Sequence, residues 1–231
     1  MAFVLADSIS GFDEIGTDPL VLGDLSVTAG DLIVVGCGCG TQNPYCSAIA
    51  DDDGNEYTLG AIVFSDSNIV SVRVGYAIAK STQAALTITC SVSASSQKDA
   101  WAVAFTPTAG KTPSYDTCGI KAGASFEASP WETLTFTTTG DDEVCIAFFK
   151  GNGATPFSNE EIPNGTAATG VLGTAAGNLH CFYRIGTVSN DIAEMATSGS
   201  QYYAAACYCF KAEAGGSIVP LVMSYYRRLR S

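Results

Sequence analysis

No apolar run in this 231-residue chain is long enough to cross a membrane as a helix. The longest, such as Leu32 to Val35 and Ala204 to Phe210, stop well short of a span. The apolar opening Met1 to Ala6 has no positive flank and ends at Asp7, so it does not read as a secretory signal. Charged residues are scarce, at 15%, and hydrophobic ones make up 47%, a balance too apolar for a disordered chain. The expectation is a soluble protein made in a cytoplasm. There is one histidine, His180, followed by Cys181. Neighbouring side chains on a strand point to opposite faces, so this pair does not form a Cys–His nucleophile. Gly-x-Ser-x-Gly, phosphate-loop and dinucleotide-binding patterns are all missing. The sequence therefore reads as a protein that is not an enzyme.

Bases are also few: eleven against 23 acids, for a net charge of −12. Three of the eleven, Arg227, Arg228 and Arg230, fall in the last seventeen residues, which hold no acid. The remainder carries eight bases against the same 23 acids. Such a body repels nucleic acid and anionic lipid, so neither is an expected partner.

Nine cysteines form an odd set in a chain too large to need a disulfide framework. Most lie in apolar, strand-like runs and read as small reduced core residues. Cys37-Gly-Cys39 and Cys207-Tyr-Cys209 each place two sulfurs on one face of a strand. Two such pairs on neighbouring strands could meet, although the spacing is not that of a zinc site.

Strand signals run through the chain, and helical ones are rare. In Leu86-Thr-Ile-Thr-Cys-Ser-Val92 the apolar members alternate with polar ones, and Val70, Val72, Val74 and Tyr76 fall on one face. Strands are expected near 2–6, 20–27, 31–37, 45–50, 56–64, 69–79, 84–92, 100–106, 132–138, 143–150, 178–186 and 201–211. There is an internal echo: Thr28–Gly36 resembles Thr139–Ala147, and Ala100–Phe105 resembles Tyr203–Phe210. Two similar sets of strands fit an all-β sandwich, jelly-roll-like, with two antiparallel sheets and extended N- and C-terminal segments. Residues 1–27 read as an N-terminal segment, 28–211 as the body and 212–231 as an anchoring tail. Residues 111–129 read as loop-rich, and 151–177 as a long loop of Gly, Asn, Thr and Ala.

Three groups of residues are candidate sites. Asp51, Asp53 and Asn55 lie in an acidic segment that reads as a hairpin turn, and their oxygens would suit a hard cation such as calcium. Trp131, Tyr115 and Phe157, in loop-rich stretches, are candidates for stacking on a glycan and read equally well as loop anchors. In the tail, Ile218, Val219, Leu221, Tyr225, Tyr226, Arg227, Arg228 and Arg230 combine apolar, aromatic and arginine side chains, the types that dominate interface energies.

Two stretches resemble proteins of tailed bacteriophages. The opening Met1-Ala-Phe-Val-Leu-Ala-Asp7, with Glu14-Ile-Gly-Thr17 and Leu20-Val-Leu-Gly23, resembles the start of small phage structural proteins. Val27-Thr-Ala-Gly-Asp-Leu-Ile-Val-Val35, followed by Asp53-Gly-Asn-Glu-Tyr57, is similar to β-sandwich domains of virion proteins. The resemblance covers about the first sixty residues. It implies a virion component without catalytic residues, assembled in the host cytoplasm. That component would be a capsid decoration, cement or head-fibre-like subunit; the alternative is a tail appendage or carbohydrate-binding adhesion module. The expected partners are other virion proteins and further copies of the chain, with a host glycan as a further candidate.

Overall fold

The structure, a computed structural model, describes residues 3–16, 19–40, 44–94, 96–121, 130–139, 143–153, 157–162, 167–175, 178–186, 192–197 and 200–214. Among the described residues there are seventeen strands, and their pairings are antiparallel. The first half supplies β1 (Phe3–Gly16), β2 (Leu20–Val27), β3 (Leu32–Gly40), β4 (Cys46–Asp51), β5 (Thr58–Leu59), β6 (Val63–Phe64), β7 (Val70–Ile78), β8 (Gln83–Val92) and β9 (Ser96–Pro107). The second supplies β10 (Lys111–Lys121), β11 (Trp131–Glu132), β12 (Glu143–Gly151), β13 (Phe157–Glu161), β14 (Gly170–Thr174), β15 (Leu179–Gly186), β16 (Glu194–Thr197) and β17 (Tyr203–Ala214).

The sandwich has four layers where two were expected. Two central sheets face each other, in the orders β1-β9-β3-β7-β5 and β10-β17-β12-β15-β14, with β6 also pairing β7. Each is backed by a three-stranded sheet, β2-β8-β4 on the first and β11-β16-β13 on the second. This layering explains why β3 and β12 are buried at every residue: both of their faces are covered. Leu32 and Val34 of β3 meet Val144, Ile146 and Phe148 of β12 in the central core. On its other face β3 sets Ile33, Val35, Cys37 and Cys39 against β2, β4 and β8. The alternation expected in β8 is present, with Leu86, Ile88, Cys90 and Val92 buried.

The halves repeat one plan. With the two-residue β6 set aside, each half pairs its first, eighth, third, sixth and fifth strands in one sheet, and its second, seventh and fourth in the other. That is jelly-roll connectivity, occurring twice. The echo in the sequence maps onto β3 with β12 and onto β9 with β17. Across the central core the halves are related by an approximate two-fold. Tyr76 lies opposite Val34 in its ladder, as Tyr183 lies opposite Ile146. Tyr76 meets Phe210 edge-on at 5.0 Å and 71°, and Tyr183 meets Phe105 at 5.2 Å and 73°.

Several expected boundaries move. Residues 3–16 and 20–27, read as part of an N-terminal segment, form strands β1 and β2. Within 111–129, residues 111–121 form β10, whose Pro113 sits on an edge strand where a missing N–H costs little. The expected loop 151–177 contains β13 and β14, whose small and polar residues form edge strands with little burial. The turn after Asp51 does not close a hairpin. It carries the chain from the outer sheet to the central one, with Gly54 at φ +70°.

Candidate functional site

The candidate cation ligands are occupied within the protein. Asp51 Oδ1 accepts from Asn55 N, and its Oδ2 accepts from Asn55 Nδ2 and Tyr57 Oη at 2.8 and 2.9 Å. Asp53 accepts from Ser81 Oγ and Gln83 Nε2, and Asn55 Oδ1 accepts from Lys80 N. These bonds tie the turn to the loop after β7. Among the described residues no three His, Cys, Asp or Glu side chains are arranged to hold a metal ion.

The aromatic candidates separate. Trp131 is fully buried and stacks on Tyr203 at 4.7 Å, so it anchors the outer sheet rather than meeting a sugar. Its flat, apolar surface is more stable in the third core than in water. Phe157 is half-buried between Trp131 and His180. Tyr115 is 42% exposed and stacks on Tyr76 at 5.7 Å. It lines a cleft of about 140 Å³ at one end of the central core. The tail residues Ile218, Val219, Leu221, Tyr225, Tyr226, Arg227, Arg228 and Arg230 lie outside the described residues.

The two cysteine pairs do not meet. Cys37 and Cys39 face the core under β2-β8-β4, whereas Cys207 and Cys209 face the core under β11-β16-β13. Cys209 is instead joined by a disulfide to Cys145, its cross-strand neighbour. A ladder pairing fixed by tertiary structure is not readable from a separation of 64 residues. The neighbouring thiols of Cys39, Cys46 and Cys90, with burial, push the Cys37 thiol well up.

One constellation eluded the sequence. His180 Nε2 lies 2.8 Å from Glu160 Oε1, and its Nδ1 lies 2.8 Å from Thr174 Oγ1. A carboxylate can only accept, so Nε2–H donates to Glu160 and Nδ1 accepts from the Thr174 hydroxyl. Hydroxyl, imidazole and carboxylate thus stand in the order that activates a nucleophile. The imidazole is buried against Phe157 and Phe182, and the group links β13, β14 and β15. The signal was thin: a lone histidine, with Glu160 and Thr174 twenty and six residues away in a stretch read as loop. Burial pulls the His180 pKa down, against the Glu160 bond. The neutral ring is therefore favoured in the fold, and the stability this provides is lost as pH falls below about 6.5. His180→Gln is expected to cost about 1–3 kcal/mol at pH 7.5 and to reduce the loss of stability between pH 7 and pH 5. Urea denaturation at both pH values checks this.

The chain matches no known protein family, and no curated protein or solved structure resembles it.

Proposed function

We propose that the chain is a non-enzymatic structural protein of a tailed-phage virion, a capsid decoration, cement or head-fibre-like subunit. The duplicated jelly roll carries this reading. Two eight-stranded sandwiches share one dry core and form a four-layered block built for rigidity. Jelly rolls recur in viral capsids, and the opening sequence motifs resemble those of phage structural proteins. The acidic body suits a surface facing solvent. The apolar, arginine-bearing residues 218–230 provide the grip on neighbouring subunits.

Gold-labelled antibody against the protein, imaged on intact particles from its source, tests the reading. Label over the heads is expected. Label at one end of the particle would make it a tail appendage, and unlabelled particles would end the virion reading. Deleting residues 215–231 is expected to abolish incorporation while the body keeps its β-sheet circular dichroism. Full occupancy by the shortened chain would refute the anchoring role.

A further inference from the structure

The approximate two-fold gives the central core two equivalent ends, and they differ. At one end, Tyr183 lies down over Gly170, where an added Cβ would stand 2.5 Å from the ring. That ring is buried, with Phe105 against it. Leu5, opposite Phe105 in the ladder, packs on the same core and closes this end.

At the other end the Tyr–Phe pair is kept, as Tyr76 and Phe210, but the residues around it have changed. Thr58 stands opposite Tyr76, where Gly170 stands opposite Tyr183. A side chain at that position bars the ring from lying down, so Tyr76 is only half-buried and stacks with Tyr115 at 5.7 Å and 8°. Tyr115 lies opposite Phe210, in the place Leu5 takes at the sealed end. Both strands have a register shift just after this residue, a device that re-aims side chains. At the sealed end it serves a leucine turned to the core; here it presents a tyrosine ring that stays 42% exposed. Packing the repeat does not require this opening, since the sister end dispenses with it.

The resulting cleft is lined by Phe210, Tyr76, Tyr115 and Ile78, with Glu56 and Thr58 among its polar residues. Its volume of about 140 Å³ is of the size of one six-membered ring. Exposed aromatic surface with a carboxylate and a hydroxyl in the same lining suits a ligand that is apolar on one face and rich in hydroxyls at its edge. The net charge of −12 disfavours an acidic ligand. We propose that the Tyr115–Tyr76 cleft binds an uncharged pyranose ring of a saccharide. The inference stands apart from the virion reading, because it is read on purified protein whatever particle the chain belongs to.

Saturation-transfer NMR on the full chain tests it, with methyl glucoside, methyl galactoside, methyl mannoside, N-acetylglucosamine oligomers and sialyllactose as probes. Transfer to at least one uncharged pyranoside is expected, with none to the sialyl residue. Tyr115→Ala should weaken binding roughly 10-fold or more, while Tyr115→Phe keeps most of it. Val171→Ser, near the sealed end, should leave it unchanged. Thermal melting confirms that each variant is folded. No transfer from any probe, or transfer undiminished in folded Tyr115→Ala, would overturn the proposal. A response confined to flat aromatic additives would assign the cleft to another ligand class and overturn it equally.

Discussion

Lys150→Met is expected to cost about 3–5 kcal/mol at pH 7 and to lower the melting temperature by roughly 10 °C. Lys150 Nζ lies 3.1 Å from Asp99 Oδ2 at the interface of the two central sheets, and both side chains are fully buried. The same Asp99 oxygen accepts from Leu179 N at 2.7 Å, so this one carboxylate joins β9 to β12 and to the start of β15. Removing the cation leaves a carboxylate in a dry core. Asp99→Leu alone should also be destabilising, because it removes the carboxylate that Lys150 Nζ and Leu179 N share. Yet the pair itself is poorly matched to its site. Asp99 Oδ1 has no hydrogen-bond partner among the described residues. The double variant Asp99→Leu/Lys150→Met should therefore recover most of the loss, giving a large coupling energy in the double-mutant cycle.

The pH dependence gives a second reading of the same pair. Burial pushes the Asp99 carboxyl up, against the pull of Lys150 and Leu179 N. A raised carboxyl favours the protonated form in the fold, so its contribution to stability falls as pH rises from about 3.9 through the folded value. Without Lys150 the carboxyl rises further. The cost of Lys150→Met should then be smaller at pH 5 than at pH 7.5, because Asp99 can enter the core neutral. Equal costs at the two pH values would show that the charge on Asp99 is not what the variant exposes. Guanidinium denaturation of the four proteins of the cycle at both pH values provides the comparison.

The strands of the first half were legible because their period is short and regular. Leu86, Ile88, Cys90 and Val92 announce a half-buried strand on their own. The doubling was partly legible too, since β3 with β12 and β9 with β17 keep a similar rhythm where both faces are buried. What stayed hidden depends on partners distant in sequence. The strands β13, β14 and β16 are short and lightly apolar, and neighbouring strands hold them in place more than their own composition does. Trp131 was ambiguous because burial of a loop aromatic is decided by Tyr203, seventy-two positions on. Tyr115 stands in the sequence as a lone ring, but the cleft comes from Tyr76, Phe210 and Thr58, which only the meeting of the halves brings together. Glu160 and Thr174 are commonplace residues until β13 and β14 set them on either side of His180.

The second large effect is expected where the two halves cross. A residue close to a two-fold meets its own counterpart, so two large side chains there would collide and two small ones would leave a void. The chain resolves this by asymmetry: Gly36 of β3 faces Phe148 of β12, and Gly38 faces Lys150. A Cβ on Gly36 would stand 2.2 Å from the Phe148 ring, and one on Gly38 would stand 2.9 Å from Lys150 Cδ. Phe148→Ala is expected to cost about 3–5 kcal/mol, because β3 has no side chain at this position to fill the space. Gly36→Leu alone should be destabilising by a similar amount, as the ring has nowhere to move in a fully buried core. Gly36→Leu/Phe148→Ala moves the bulk from one strand to the other and should recover a substantial part of both losses. Chemical denaturation of the two single variants and the double variant measures this. Simple additivity would mean that the sheets relax apart and that Gly36 and Phe148 do not share one space; a strong favourable coupling would show that the fused jelly rolls depend on this exchange of bulk across their pseudo-dyad.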